Sequence, residues 1–375
     1  MEDEDKLRKL ITEIVQKEID AYEKKRKYDH IAIIGVRDND AVAQNIAKYL
    51  GKELVMVERT IFEDLERLLE LKRNLNGMNA YVVSTLGLKQ EPTISMWDTF
   101  LVGDALKGTC KVNKVIGVVP DLWYAAQDKT HSRRQALSAR VVAKFMKATG
   151  YDHLITIQLH SEQLEGQYES MDHLKGIPIV ADYIKRNYTD AKGFIPVSPD
   201  GGANRPRDEL ANDLGAKVKG VGEYSGKRDR YSRDEKKRGF YKGDPVEGLD
   251  VIIFDDMGRT LGTMINCAEE VNKLGAKRII GAFPHMKNFG TEKFLDNLAK
   301  GYLHELVVFN TRPEIVGMIQ GNEFMRKTMT VLDISNYLAE AILRYEMGGT
   351  AKEMIKEVPV DKLYTVLHKA ENTKA

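Results

Sequence analysis

Two neighbouring carboxylates follow an apolar run in the stretch VIIFDDMGRTLGTM, residues 251–264. Asp255 and Asp256 come directly after four apolar residues, which are typical of a buried strand. Carboxylate oxygens at such a strand end can accept hydrogen bonds from vicinal sugar hydroxyls, or hold Mg²⁺ directly or through water. The alternative is an ordinary strand-to-helix turn, but two aspartates in this place would be a costly way to cap a helix.

The bend after the aspartates has groups that suit an anion. Residues 258–263, GRTLGT, lead into a predicted helix, and backbone N–H groups at a helix N-terminus suit a phosphate. Thr260 and Thr263 add hydroxyls, and Arg259 adds a guanidinium fork that matches phosphate oxygens. The same short stretch therefore carries groups for both a sugar and a phosphate.

Polar side chains also follow other predicted strands. His160 follows ITIQL, Asp200 follows IPVSP and His285 follows IIGAFP. In open α/β sheets, ligands bind beyond the carboxyl ends of the strands. Each residue alone is a weak signal, because strand-end histidines are often structural and Asp-Gly often forms a turn. Their convergence with Asp255 and Asp256 favours a functional site at this edge.

Alternating strands and helices must position these residues. Apolar runs of four or five residues without alternation suit strands that are covered on both faces, as in mostly parallel sheets. We therefore predict an α/β fold with two lobes, each a mostly parallel sheet with helices on both faces. The predicted strands lie at 30–36, 80–86, 112–120, 153–160, 193–202, 250–256, 277–285 and 305–311, and the predicted helices at 41–51, 136–150, 263–276 and 333–347.

The predicted domain limits follow from these elements. Residues 1–30 are expected to form an N-terminal helical extension, because apolar residues recur at helical spacing between Leu7 and Ile19. The first lobe is expected at 31–177 and the second at 178–329, with 330–375 packing back on the first lobe. The charged stretch 224–244 lacks an apolar period, which favours a long exposed loop; such loops in compact domains are usually lids or are disordered.

Composition narrows the class of protein. Of the 375 residues, 42% are hydrophobic and 30% charged, as in ordinary soluble proteins, and the net charge of +1 favours neither nucleic acid nor a membrane surface. The sequence contains no apolar run long enough to span a membrane. Two cysteines, Cys110 and Cys267, without CxxC spacing argue against a disulfide framework or a thiolate zinc site. We expect a cytoplasmic protein without a nucleic-acid or membrane partner.

Several motifs resemble those of one enzyme family. DDMGRTLGT resembles the signature of phosphoribosyl-diphosphate-binding proteins. The segments at 118–146, 156–168, 197–205 and 339–350 are similar, in order and spacing, to segments of ribose-phosphate diphosphokinases, and the match extends from about 31 to 350. The sequence therefore resembles a divergent member of that family.

The resemblance implies an activity and an assembly. Family members transfer the β,γ-diphosphate of ATP to the anomeric hydroxyl of ribose 5-phosphate, using Mg²⁺. It implies two phosphoribosyltransferase-like lobes, a site between them and at a subunit contact, and a homo-oligomer that is a dimer or a hexamer.

The resemblance also implies roles for individual residues. Those roles are ribose binding, 5-phosphate binding, Mg²⁺ binding, ATP binding and transition-state stabilisation by a cationic lid. Asp255 and Asp256 are expected to hold the ribose, Arg259, Thr260, Leu261, Gly262 and Thr263 the 5-phosphate, His160 and Asp200 the Mg²⁺, and Phe62, Asp64, Glu66, Gln127 and Asp128 the ATP; Lys227, Arg228 and Arg230 with His160 are expected to be catalytic.

Four positions depart from the family pattern. Arg259 replaces an acid, Leu261 replaces a glycine and adds bulk at the phosphate bend, Ala126 replaces an arginine and Gln158 replaces an aspartate. Two alternatives stay open: a diphosphokinase for a larger 5-substituted ribose such as ADP-ribose, with Arg259 and Leu261 lining a remodelled pocket, or a non-catalytic regulatory paralogue. A plain phosphoribosyltransferase would leave the ATP-side segments unexplained.

Overall fold

The structure is a computed structural model that describes residues 28–87, 92–130, 132–225, 239–287 and 290–374. The predicted N-terminal helix and the central part of the predicted lid lie outside these residues. The predicted cationic residues Lys227, Arg228 and Arg230 therefore have no structural account.

Within the described ranges, β-strands are numbered in chain order. They are β1 Ile31–Gly35, β2 Leu54–Met56, β3 Glu58–Ile61, β4 Arg67–Glu70, β5 Asn79–Val83, β6 Lys114–Val118, β7 His153–Ile157, β8 Met171–Leu174, β9 Phe194–Ser198, β10 Gly222–Ser225, β11 Phe240–Gly243, β12 Asp250–Phe254, β13 Met257–Gly258, β14 Arg278–Phe283, β15 His285–Met286, β16 Glu305–Phe309, β17 Met329–Asp333 and β18 Thr365–His368.

Helices alternate with these strands. They are α1 Ala41–Tyr49, α2 Pro92–Gly108, α3 Ser138–Ala148, α4 Ile177–Asn187, α5 Asn204–Leu214, α6 Gly262–Lys273, α7 Glu292–Leu298, α8 Ile315–Gln320, α9 Glu323–Thr328, α10 Ser335–Glu346 and α11 Ala351–Glu357. The helices predicted at 41–51, 136–150, 263–276 and 333–347 correspond to α1, α3, α6 and α10, each shorter by two to four residues.

The strands form two large sheets. The first has the order β2-β1-β5-β6-β7-β8, and all of its strand pairs are parallel. The second has the order β11-β10-β9-β12-β14-β16-β17-β18, in which the outermost strand at each edge is antiparallel to its neighbour. Two small additional sheets pair β13 with β15 and β3 with β4. The predicted α/β architecture of two mostly parallel sheets is observed.

Alternate residues of each strand face different apolar layers, as a pleated strand requires. In β1, Ile31 and Ile33 belong to a core shared with the second sheet, whereas Ala32 and Ile34 belong to the outer core of the first sheet. In β12, Ile252 belongs to the same shared core and neighbouring residues to the outer core of the second sheet. Both sheets are therefore covered on both faces, which explains why their strands lack a polar alternation.

The C-terminal segment contacts both sheets. Helix α10 packs on α1, and Tyr49 on α1 donates a hydrogen bond of 2.5 Å to Glu340. Strand β18 instead pairs with β17 at the edge of the second sheet.

The expectation of one long loop over 224–244 is wrong at its ends. Strands β10 and β11 pair with each other as antiparallel partners, and β10 also continues the second sheet beside β9. Both segments are short and polar, so they have no apolar period that the sequence could reveal.

No helix in the described ranges is long and apolar enough to cross a membrane.

Candidate functional site

The ends of strands from the two sheets meet at one place. His160 follows β7 of the first sheet, and Asp256 follows β12 of the second. The imidazole Nδ1 of His160 lies 2.8 Å from Oδ2 of Asp256. Two polar groups that the sequence placed at separate strand ends are thus direct hydrogen-bond partners across the lobes.

Local backbone contacts present the two aspartates at the end of β12. The Asp255 N–H donates to the Ala282 carbonyl at 3.1 Å, so the pairing with β14 continues for one residue past the strand. The Asp256 N–H then donates to the Asp255 side chain at 2.9 Å. This second bond turns the chain, so that Asp256 faces His160.

Glycine is required immediately after this turn. Gly258 lies in β13, which pairs with β15, and a Cβ atom at this position would lie 2.3 Å from the ring of Phe283. Because real Cβ atoms do not approach a ring so closely, any larger residue would force the Phe283 ring or the ribbon of β13 and β15 to shift.

The two aspartates have different protonation preferences. Burial, followed by the charges of Asp256 and Asp200, raises the pKa of Asp255 well above its ordinary value. Burial would also raise the pKa of Asp256, but the hydrogen bond and charge of His160 hold it below its ordinary value. Asp256 in turn raises the pKa of His160. The pair is thus an ionised Asp256 beside an Asp255 that retains its proton more readily.

The bend that precedes α6 has an unusual backbone. Leu261 adopts a left-handed conformation with φ of 61°, and the Asn297 side chain donates to the Thr260 carbonyl at 2.7 Å. The Leu261 side chain is only 4% exposed and belongs to the outer core of the second sheet. The expectation that this side chain adds bulk at the bend and lines a remodelled pocket is therefore wrong. Arg259 is exposed beside the same bend.

Asp200 lies close enough to Asp255 for its charge to affect the pKa of Asp255. One of its oxygens, Oδ1, accepts a hydrogen bond from the Gly202 N–H at 2.9 Å. In the described part of the chain, no three His, Cys, Asp or Glu side chains gather as a metal site. The single carboxylate of Asp200 would suit Mg²⁺ that is bound with a substrate, because Mg²⁺ usually takes one or two carboxylates and completes its shell with water and phosphate oxygens.

The loop after β6 carries the two residues predicted at the nucleotide. Asp128 is 7% exposed, and its Oδ1 is buried without a hydrogen-bond partner among the described residues. Its charge contributes to the raised pKa of His160, which places it near that side chain. Gln127 is exposed, and its backbone N–H donates to the Tyr124 carbonyl at 2.8 Å.

The residues predicted at adenine lie elsewhere. Phe62, Asp64 and Glu66 form the tip of the β3–β4 hairpin, where Phe62 is 49% exposed. The described hydrogen bonds of these three residues stay within the tip, including the one from the Glu66 N–H to Asp64 at 3.1 Å. The structure of a single chain therefore does not bring them to His160.

Sequence reasoning missed a buried ionic cluster between the lobes. Asp121, which follows β6, is 2% exposed and forms an ion pair with Lys287. Arg312, which follows β16, has its Nη2 atom 3.5 Å from the other Asp121 oxygen. All three residues follow strands, so applying the strand-end rule to every predicted strand would have found them.

His285 also has a role that its sequence surroundings did not indicate. Its imidazole is 3% exposed, and Nε2 donates to the Ile157 carbonyl at 2.9 Å, close to a second carbonyl, that of Gln158, at 3.2 Å. It therefore fixes the chain that leads to His160.

Two lobes, each built on a mostly parallel sheet, meet at an aspartate pair, a histidine and the bend before α6. This is the architecture of an α/β protein with two phosphoribosyltransferase-like domains. Residues 31–150 match the family model of the N-terminal domain of ribose phosphate pyrophosphokinase. The chain is 30% identical over 326 residues to a ribose-phosphate pyrophosphokinase of Aquifex aeolicus, a match that covers 86% of this chain and 98% of the relative. This chain belongs to the ribose-phosphate pyrophosphokinase family.

A solved structure agrees with this assignment. Phosphoribosylpyrophosphate synthetase from Mycobacterium smegmatis superimposes with a TM-score of 0.73 at 25% identity, over 85% of this chain and 99% of that one. The predicted fold class, family and enzyme class are confirmed.

Proposed function

We propose that this enzyme transfers the β,γ-diphosphate of ATP to the anomeric hydroxyl of ribose 5-phosphate with Mg²⁺, and releases phosphoribosyl diphosphate and AMP. The observation that carries the proposal is the contact between His160 and Asp256. It joins His160, a predicted metal-binding residue of the first lobe, to Asp256, a predicted sugar-binding residue of the second.

Asp255, Asp256 and the following bend take the sugar phosphate in this proposal. The ionised Asp256 accepts hydrogen bonds from ribose hydroxyls, and Asp255, whose pKa is raised by burial, can donate as well as accept. The backbone from Arg259 to Thr263, the two threonine hydroxyls and the exposed guanidinium suit the 5-phosphate.

Next to the sugar site, His160 and Asp200 would hold Mg²⁺, and Gln127 and Asp128 would face ATP. The metal, when bound, supplies positive charge that stabilises the transferring diphosphate. The exposed position of Phe62 suits a contact with adenine at a subunit interface, which requires a homo-oligomer, either a dimer or a hexamer. Lys227, Arg228 and Arg230 remain the predicted cations of the lid.

We place the lobes at 31–177 and 178–329 and the enzyme in the cytoplasm. Residues 330–375 were predicted to pack back on the first lobe; the packing of α10 on α1 supports this, whereas β17 and β18 extend the second sheet.

The buried Leu261 favours ribose 5-phosphate over a larger 5-substituted ribose. One of the two reasons for the larger sugar was a pocket lined by the Leu261 side chain, and that side chain lies in the core. The other reason, the exposed Arg259, fits a single 5-phosphate equally well.

An assay of the products separates the candidates. Purified full-length protein with Mg²⁺ and ATP should release AMP on addition of ribose 5-phosphate, together with an equal amount of phosphoribosyl diphosphate. Release of AMP with ADP-ribose but not with ribose 5-phosphate would favour the larger sugar. No AMP with either sugar would favour a non-catalytic paralogue and refute the proposal.

A further inference from the structure

A buried ionic cluster links the two lobes beside the site. Asp121 belongs to the first lobe, and its partners Lys287 and Arg312 belong to the second. The Asp121 carboxylate is 2% exposed and the Arg312 side chain 7% exposed, so water screens their interaction weakly. In the described part of the chain, Asp121 Oδ2 and Arg312 Nε have no hydrogen-bond partner.

The neighbouring cations keep the buried Asp121 carboxylate ionised. Burial alone would raise the pKa of Asp121, but the nearby charges of Lys287 and Arg312 offset burial and hold the pKa below its ordinary value. A buried carboxylate with cations on the opposite lobe favours one docked arrangement, because separating the lobes would leave the charges unpaired.

Lys287 and its neighbour His285 are also hydrogen-bonded to the turn that carries Asp256. The Lys287 N–H donates to the Gly258 carbonyl at 2.7 Å, and the His285 N–H lies 3.4 Å from the Asp256 carbonyl. The His285 ring donates to the Ile157 carbonyl at 2.9 Å, three residues before His160. These contacts connect Asp121, through Lys287 and the β13–β15 ribbon, to Asp256 and His160.

We propose that Asp121 is a positioning residue, which holds the lobes in the register in which His160 meets Asp256. It acts through Lys287 and the β13–β15 ribbon and does not itself contact a substrate. The kinetic part of this inference depends on the proposed function, whereas the geometric part does not.

Asp250 provides a matched control for Asp121. It is also a buried carboxylate, 1% exposed, and it pairs with an arginine, Arg278, at 3.0 Å. Both partners of this control pair lie in the second lobe, at the opposite end of β12 from Asp255. Asp250→Asn therefore removes a buried charge without affecting the contact between the lobes.

The first measurement is a crystal structure of each variant. In Asp121→Asn, the distance between His160 Nδ1 and Asp256 Oδ2 should increase beyond about 3.5 Å, so that the hydrogen bond is lost. In Asp250→Asn it should stay at the 2.8 Å seen here. An unchanged contact in Asp121→Asn would overturn the proposal. If that variant does not fold, Lys287→Met provides the same test with Asp121 retained.

The second measurement is steady-state kinetics on the full-length enzyme. Asp121→Asn should lower kcat by about tenfold or more and change both KM values by less than about threefold, because misplaced catalytic groups reduce turnover more than binding. Lys287→Arg should retain kcat, and adding Lys287→Met to Asp121→Asn should cost little more. A loss of thermal stability like that of Asp250→Asn, with kcat unchanged, would reduce Asp121 to a structural role.

The two measurements separate two kinds of failure. If the wild-type protein releases no AMP, the proposed function fails, and the crystal structures still decide whether Asp121 positions His160.

Discussion

His160 Nδ1 and Asp256 Oδ2 lie 2.8 Å apart and join the strand ends of two separate sheets. Since the residues are 96 positions apart in sequence, only the docking of the lobes creates this pair. The hydrogen bond keeps Asp256 ionised while burial raises the pKa of its neighbour Asp255. The contact thus sets both the geometry and the charge of the aspartate pair that we propose as the sugar site.

Asp256→Asn should abolish most of the activity and leave the fold intact. The amide keeps the shape but loses the charge that accepts hydrogen bonds from the sugar, so kcat/KM for ribose 5-phosphate should fall by about 10²-fold or more. Thermal unfolding followed by circular dichroism should remain cooperative. The control is Asp190→Asn, an exposed carboxylate that pairs with Lys277 and Arg278. Activity within tenfold of wild type would show that Asp256 does not hold the sugar.

Arg259→Ala should weaken binding of ribose 5-phosphate. The loss of one charge-assisted contact to phosphate should raise KM for this substrate by about tenfold or more and leave KM for ATP nearly unchanged. Lys273→Ala is the matched control, because Lys273 ends the same helix, α6, and pairs with Glu269 at 2.7 Å. Equal effects of the two substitutions would point to a general electrostatic effect.

Leu261→Ala should destabilise the protein and have little effect on substrate binding. Since Leu261 is 4% exposed, its truncation leaves a cavity and should cost about 2–4 kcal/mol of the free energy of unfolding, measured with urea. Leu274→Ala, at the other end of α6, should cost less than about 0.5 kcal/mol, because Leu274 is 46% exposed. A large change in KM for ribose 5-phosphate in Leu261→Ala would contradict the conclusion that this side chain packs only in the core.

His285→Gln should make the protein less sensitive to mild acid. Burial lowers the pKa of His285, so the unfolded chain takes up a proton near pH 6.5 before the folded chain does. Its contribution to stability is therefore complete above about pH 6.5 and decreases as the pH falls below that value. Melting temperatures at pH 7.5 and 5.5 should differ less for His285→Gln than for the wild type.

His285 must be separated from other titrating groups. Burial also lowers the pKa of His173 and His304, whereas the hydrogen bond to Asp256 raises the pKa of His160. Only the difference between wild type and variant is assigned to His285. Identical losses of stability in the two proteins would show that His285 does not contribute to the acid sensitivity.

The sequence predicts the parts of this site that depend on neighbouring residues. The run before Asp255 predicts β12, and the glycines after it predict the bend and α6, because strand, turn and helix signals all lie within one stretch. The convergence of His160 and Asp256 was predictable, because the carboxyl ends of parallel strands face the same edge.

Other features depend on how elements dock. The pairing of Asp121 with Lys287 and Arg312 requires knowledge of which faces of the two lobes meet, and no local pattern contains that information. The orientation of Leu261 was interpreted wrongly for a related reason. A side chain at a bend can point to the ligand or to the core, and only the φ of 61° and the packing behind β12 decide between them.

The apolar layer between the sheets has a consequence for any attempt to divide the protein. Residues from both sheets, from Ile33 in β1 to Leu332 in β17, contribute to this one layer. A fragment that ends at residue 177 would expose its share of this layer to water and would aggregate when expressed alone. The intact chain should melt in a single calorimetric transition, because neither half is a separate thermodynamic unit.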